Sequence, residues 1–144
     1  MPKDSNNADC LLLDTHIWIW LINGDKSLSG SEFLKKLSKE TAPQIHISVI
    51  SVWELAMLEQ KNRVSLPFPC QEWVRRATTD TGIKITPLSP EIAIESAQMS
   101  GTFHGDPADR MIITTSIHQQ ATLVTRDTDI LAYCENKGIK ALKA

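Results

Sequence analysis

GDPADRMII, Gly105 to Ile113, sets Asp106 and Asp109 three residues apart just ahead of an apolar run. One chemistry this spacing serves is helix punctuation. Asp106 suits an N-cap, Pro107 the first helical position, and Asp109 the acid of a capping box. The other is cation binding, which needs oxygen donors from elsewhere in the chain. Asp14 closes the apolar run CLLLD, Asp127 closes ATLVTRD, and Glu54 sits within SVWELAMLEQK. Each has a capping explanation of its own, with Glu54 completing a box with Ser51. As a group they are explained less well by caps. Carboxylates brought together repel unless a cation or shared protons offset the charge. An all-oxygen donor set of this kind suits Mg2+ or Mn2+.

Whether these acids meet depends on the elements that carry them. CLLLD, Cys10 to Asp14, reads as a strand buried on both faces, and THIWIWLING as a short apolar helix ended near Gly24. Ser29 to Glu40 reads as a surface helix with Phe33, Leu34 and Leu37 on one face. IHISV, Ile45 to Val49, is a second strand, followed by the helix that carries Glu54 in its first turn. The prolines of PFPCQEWVRRATTD open another helix; IKITPL, Ile83 to Leu88, alternates like a strand, and Ser-Pro-Glu starts the helix SPEIAIESAQM. Asp106 to about Gln119 is the next helix, ATLVTRD the fourth strand, Asp129 to Asn136 a short helix, and IKALK a last strand. Strands alternating with helices predict an α/β fold with a parallel sheet covered on both faces. Met1 to Asp9 reads as a flexible lead and residues 10–144 as one domain. In such sheets ligands gather beyond the carboxyl ends of the strands, where these acids fall.

Bulk properties narrow the field. With 144 residues there is room for a real core, and 42% hydrophobic against 22% charged residues is ordinary for a globular protein. A net charge of −2 offers no overall basic field for coating nucleic acid. Cys10, Cys70 and Cys134 have no paired zinc spacing and fit a reducing cytoplasm. No segment approaches the roughly 20 apolar residues of a membrane span, and the expected location is cytoplasmic.

The stretches LLLDTHIWIWLI, ISVISVWELAMLEQKNRVSLP, ITPLSPEIA and HGDPADRMIITTSIHQQATLVTRD run in this order between Leu11 and Asp127. As a set they resemble the PIN-domain family, and within it the VapC-type ribonuclease toxins of bacterial toxin–antitoxin pairs. The resemblance implies a three-layer α/β/α sandwich around a mostly parallel sheet, and Mg2+- or Mn2+-dependent endoribonuclease activity on RNA. It also implies a homodimer neutralised by a small antitoxin. The family's four acids fall on Asp14, Glu54, Asp109 and Asp127, and Asp106 is the additional acid of an HxDPxDR-like form. Asp14, Asp109 and Asp127 would hold the ion, while Glu54 would bind through water or orient the attacking water. Asp106 would be chiefly the helix cap, contributing charge from one step further out. Cleavage would leave a 5′-phosphate and a 3′-hydroxyl. Two positions depart from that form: Ala108 stands where a bulky aromatic is frequent, and Gly105 where an arginine is frequent.

Other residues are weighed against plainer roles. Thr15 and Thr125 adjoin Asp14 and Asp127 and are candidate hydroxyls for substrate or ligand support, with local backbone hydrogen bonding as the alternative. Lys61, Arg63, Arg75, Arg76, Arg110 and Arg126 are candidate phosphate contacts, with Arg110 and Arg126 ranked first because they adjoin acids. Trp18, Trp20, Trp53 and Trp73 are candidates for base stacking, with core filling expected for most. His16 is expected to pack or orient, and His104 and His118 have no matched ligand spacing. A haloacid-type phosphatase would place a second acid two residues after Asp14, where His16 stands. The stronger rival is a PIN-fold module that binds RNA or protein without cutting it.

Overall fold

Alternation along Leu11-Leu12-Leu13 sends the outer two side chains to one face of a sheet and Leu12 to the other. All are at most 1% exposed, so both faces must be covered. In the computed structural model, which describes residues 9–39, 41–99, 103 and 105–144, they form the middle of β1 (Cys10–Leu13). Four further strands join it: β2 (Gln44–Ser48), β3 (Lys84–Thr86), β4 (Thr122–Thr125) and β5 (Ala141–Lys143). Their order is β3-β2-β1-β4-β5, with every pairing parallel. Leu13 lies opposite Ile47 on one side and Val124 on the other.

Parallel neighbours require crossovers, and helices supply them. These are α1 (Thr15–Asn23), α2 (Glu32–Leu37), α3 (Val49–Gln60), α4 (Cys70–Thr78), α5 (Pro90–Ala97), α6 (Pro107–His118) and α7 (Thr128–Lys137). Leu11, Leu13, Ile47 and Val124 pack with Ile17 and Trp18 of α1, Phe33 of α2, Leu55 of α3 and Trp73 of α4. Leu12 and Leu123 pack with Ile112 and Ile113 of α6 and Ile130 and Cys134 of α7. The alternation of β1 thus produces the predicted α/β/α layers.

Trp18 and Trp73 are core residues: their rings meet edge to face at 5.1 Å, and Trp18 Nε1 donates to the Ala77 carbonyl at 3.2 Å. Gly24 ends α1 as expected, at φ 64°, where only a residue without Cβ sits free of strain.

Several predicted boundaries move. The second strand ends at Ser48, not Val49, because the Ser48 hydroxyl caps α3 by accepting from Ile50 N at 3.1 Å. Ser51 is therefore not a cap, and Glu54 lies in the second turn of α3, not the first. The helix expected over Ser29 to Glu40 is confined to Glu32–Leu37, and the third strand to Lys84–Thr86 ahead of Pro87, which has no N–H to donate. Of the expected lead Met1 to Asp9, residues 1–8 lie outside the described residues, as does His104, while the Asp9 carbonyl accepts from Gln44 N at 2.8 Å.

Candidate metal centre

The strand order reverses at β1: the chain runs outward through β2 and β3, then returns to β4 beside β1. The crevice beyond the ends of β1 and β4 is therefore the switch point where α/β sheets bind ligands. Asp14 follows β1 directly, and Asp127 follows β4 by two residues.

Asp14 caps α1, its Oδ1 accepting from Thr15 N at 2.8 Å, while Oδ2 accepts from Thr125 Oγ1 at 2.7 Å. Asp127 caps α7, Oδ1 accepting from Asp129 N at 2.9 Å and Ile130 N at 3.1 Å. Asp106 caps α6 by accepting from Asp109 N at 2.9 Å. Glu54 accepts a short hydrogen bond from Thr15 Oγ1, which also meets Ser51 Oγ at 2.8 Å. Among the described residues no donor is aimed at the carboxylate of Asp109. Asp14, Glu54, Asp106, Asp109 and Asp127 line one cavity of about 430 Å³, together with His16, Trp20 and Arg126.

The electrostatics follow from this crowding. Burial raises the Asp14 carboxyl above its ordinary range, against the hydrogen bonds from Thr125 and Thr15. Burial also raises Glu54, and the charges of Asp14 and Asp106 push the same way. Asp109 is pushed up to about 7, first by burial and then by Asp106, Asp14, Glu54 and Asp127. A carboxyl pushed up by burial and by neighbouring acids marks a place where a cation would offset the crowded charge. The five carboxylates offer oxygen donors, which fit a hard divalent cation. Among the described residues no three acid, histidine or cysteine side chains already close on a single point, so the acids face a common space and form no finished cage.

Four candidate substrate contacts make hydrogen bonds within the protein. Thr15 and Thr125 are 1% and 0% exposed, and their hydroxyls are spent on Glu54 and Asp14. In this arrangement both hydroxyls position carboxylates. Arg110 donates to the carbonyls of Gly105 at 3.3 Å, Met99 at 3.3 Å and Phe103 at 3.0 Å, tying down the approach to α6. Arg126 donates to the Ala144 carbonyl at 2.8 Å and to that of Ser27, with its guanidinium 5.1 Å from the Trp20 ring centroid. Both guanidinium groups donate to backbone carbonyls, and Arg126 also borders the acid cavity. His16 is the converse. Its exposed ring, two positions on from the Asp14 cap, faces the acid cavity while lying 6.1 Å from the Trp20 ring of the same helix.

A family model described as PIN domain matches residues 11–136, a span that holds all five acids. The chain belongs to the PIN-domain family. Among relatives, this PIN domain is 30% identical over 117 residues to Ribonuclease VapC22 of Mycobacterium tuberculosis (strain ATCC 25618 / H37Rv), covering 81% of this chain and 86% of that one. Two solved structures share its fold. One is VapBC2 from Rickettsia felis bound to a promoter DNA fragment, with TM-score 0.61, 21% identity and coverage of 93% and 98%. The other is a toxin–antitoxin complex from Klebsiella pneumoniae, with TM-score 0.56, 24% identity and coverage of 85% and 90%. The distinctive local feature of this PIN domain is Gly105. A Cβ there would stand 2.1 Å from the Phe103 ring, so glycine lets that ring rest against the backbone leading into Asp106.

Proposed function

We propose that this PIN domain is a Mg2+- or Mn2+-dependent endoribonuclease, the toxin of a pair whose small antitoxin neutralises it. The observation that carries the reading is the convergence of Asp14, Glu54, Asp106, Asp109 and Asp127 on one cavity at the switch point of the sheet. The ribonuclease relative supports RNA as the polymer cut. Asp14, Asp109 and Asp127 are the residues that would hold the ion, and Asp106 adds charge from its cap position. A bound divalent ion supplies the Lewis acidity that polarises a phosphodiester and acidifies water. Asp109 would hold the ion as its carboxylate, the proton passing to solvent. Glu54, held by the Thr15 hydroxyl, orients the attacking water or accepts its proton. In-line displacement by water leaves a 5′-phosphate and a 3′-hydroxyl and makes no use of the 2′-hydroxyl.

Incubating the purified protein with mixed single-stranded RNA tests this. Cleavage is expected in Mg2+ or Mn2+, none in excess chelator, and none by Asp14→Asn with its circular dichroism intact. Cutting in chelator, or by the folded variant, contradicts the metal centre.

The partners belong to the same proposal: a homodimer, and an antitoxin held on helical apolar surface. Trp18 does not serve that contact, being fully buried, and Trp20 is half-buried under Arg126. Val49 of α3, Ile94 of α5 and Ile117 of α6 are exposed on helices and available for it. Light scattering at micromolar concentration is expected to return a dimeric mass, and a tagged copy to retain a small protein encoded beside it. A monomer removes the first claim and an empty pull-down the second. No helix among the described residues is long and apolar enough to cross a membrane.

A further inference from the structure

Beside the acid cavity lies a second groove, of about 320 Å³, lined by Trp53, Met57, Leu58, Lys61, Arg63 and Ala108. Glu54 and Asp106 line both spaces, so the groove continues directly from the candidate metal centre. We propose that it is a single-stranded nucleotide subsite, in which Trp53 stacks on a base next to the scissile phosphate and Lys61 and Arg63 hold a neighbouring phosphate. The inference rests on the ribonuclease reading and names substrate contacts on the side of the acid cavity away from Arg126.

Three observations carry it. The first is exposure: Trp18 and Trp73 are 0% and 3% exposed, whereas Trp53 is 54% exposed. A large aromatic held open on a rigid helix is a stacking platform that accepts any unpaired base. Trp53 precedes Glu54 on α3, and consecutive helical residues diverge by about 100°. One side chain therefore faces the acids while the other faces the adjoining groove. A duplex keeps its base faces stacked on one another, so this platform selects single strands.

The second is charge. Arg75 and Arg76 pair with Glu72, Lys35 with Glu32 and Lys36 with Asp9. Lys61 and Arg63, both exposed, have no carboxylate partner among the described residues. The third is the chain path that brings them together. Lys61 caps the end of α3, and Asn62 takes the left-handed conformation at φ 58°. Asn62 N then donates to the Glu59 carbonyl at 3.0 Å and Arg63 N to that of Leu58 at 2.8 Å. This helix stop turns the chain back, so that residues 61 and 63 border the same groove. Two unpaired cations beside an exposed indole and a cation-binding cavity suit alternating phosphate and base.

The test titrates fluorescently labelled single-stranded RNA in Mg2+ against the Asp14→Asn protein, which cannot cut during the measurement. Adding Trp53→Ala is expected to weaken binding about tenfold or more, and Trp53→Phe to keep most of the affinity. An abasic site scanned along the RNA should, at one position, cost the parent about tenfold and the Trp53→Ala protein nothing, as shared loss of one contact requires. Lys61→Gln and Arg63→Gln should each lower the slope of log affinity against log salt by about 0.7. Equal affinity with and without Trp53, or equal abasic penalties in both proteins, overturns the proposal. So does a Trp53→Ala protein that binds RNA normally but loses its dimer or its protein partner, which would assign the groove to protein contact. If the parent binds no RNA, the ribonuclease reading falls and takes the subsite with it; if the parent binds and Trp53→Ala matches it, only the subsite falls.

Discussion

Asp106 and Asp109 differ in what holds them. The Asp106 carboxylate is exposed and accepts from the backbone N–H of Asp109 at 2.9 Å, as an N-cap does. Asp109 sits one turn into α6, half-buried, with its carboxyl pushed up to about 7 by burial and by the surrounding acids. The caps therefore do not exclude a metal role: both aspartates line the cavity, but Asp106 also punctuates the helix while Asp109 has no such engagement. Asparagine caps about as well as aspartate, so Asp106→Asn removes charge and keeps the cap. It is expected to retain stability and appreciable cleavage, whereas Asp109→Asn loses metal-dependent cleavage. Asp106→Ala should cost roughly 0.5–2 kcal/mol of stability through the lost cap. Mn2+ affinity and cleavage of both asparagine variants decide the division of labour. A dead Asp106→Asn beside an active Asp109→Asn reverses it, and two dead, folded variants make both acids ligands.

At the scale of elements, what the sequence displays is what local chemistry determines. Three leucines between Cys10 and Asp14 permit little but a strand buried on both faces, and Ser89-Pro90 and Asp106-Pro107 start α5 and α6 where they read. The failures are those of long-range partners. Ser51 and Glu54 have capping-box spacing, yet Ser51 faces inward to meet Thr15 across 36 residues of chain, and Ser48 takes the cap. Thr125 reaches Asp14 across 111 residues, so its service to that carboxylate depends on β1 lying beside β4. Arg110 and Arg126 adjoin acids in sequence, but adjacency on a helix or loop says little about direction. Each guanidinium turns instead to carbonyls that end neighbouring elements. His16 follows the same logic in reverse: in an apolar run, the one exposed position of the first turn is visible only once the core face of α1 is known. The acid set was legible because strand ends of a parallel sheet share an edge whatever their sequence separation. The residues supporting those acids were not.

For the whole molecule, the acid cavity concentrates repulsion that a net charge of only −2 conceals. Asp109, Asp14 and Glu54 all have carboxyls raised in the folded state. The native protein then holds protons that the unfolded chain releases as pH climbs from about 4, so these groups make stability fall with rising pH. For Asp109 the loss extends through about pH 7, its folded value. Glu72, held down to about 2 by Arg75 and Arg76, acts in the opposite sense but only below this window. His46 opposes within it, since burial lowers its pKa from 6.5 and favours the fold as pH rises. Comparison with Asp109→Asn isolates the cavity from these other groups. Without divalent ions, the variant and the parent should melt together only near pH 3, below the unfolded carboxyl value, and the variant should pull ahead from about pH 4 to reach several degrees higher at pH 8, at roughly 2–4 °C per kcal/mol. Mn2+ at about 100 times its dissociation constant should add about 2.7 kcal/mol to the parent, and a given Mn2+ concentration should stabilise it more at pH 8 than at pH 6, where a proton competes at Asp109. Thermal scans across that range check both. An Asp109→Asn protein no more stable than the parent at pH 8, or Mn2+ stabilisation that ignores pH, would mean that Asp109 neither bears the cavity's charge strain nor trades its proton for the ion.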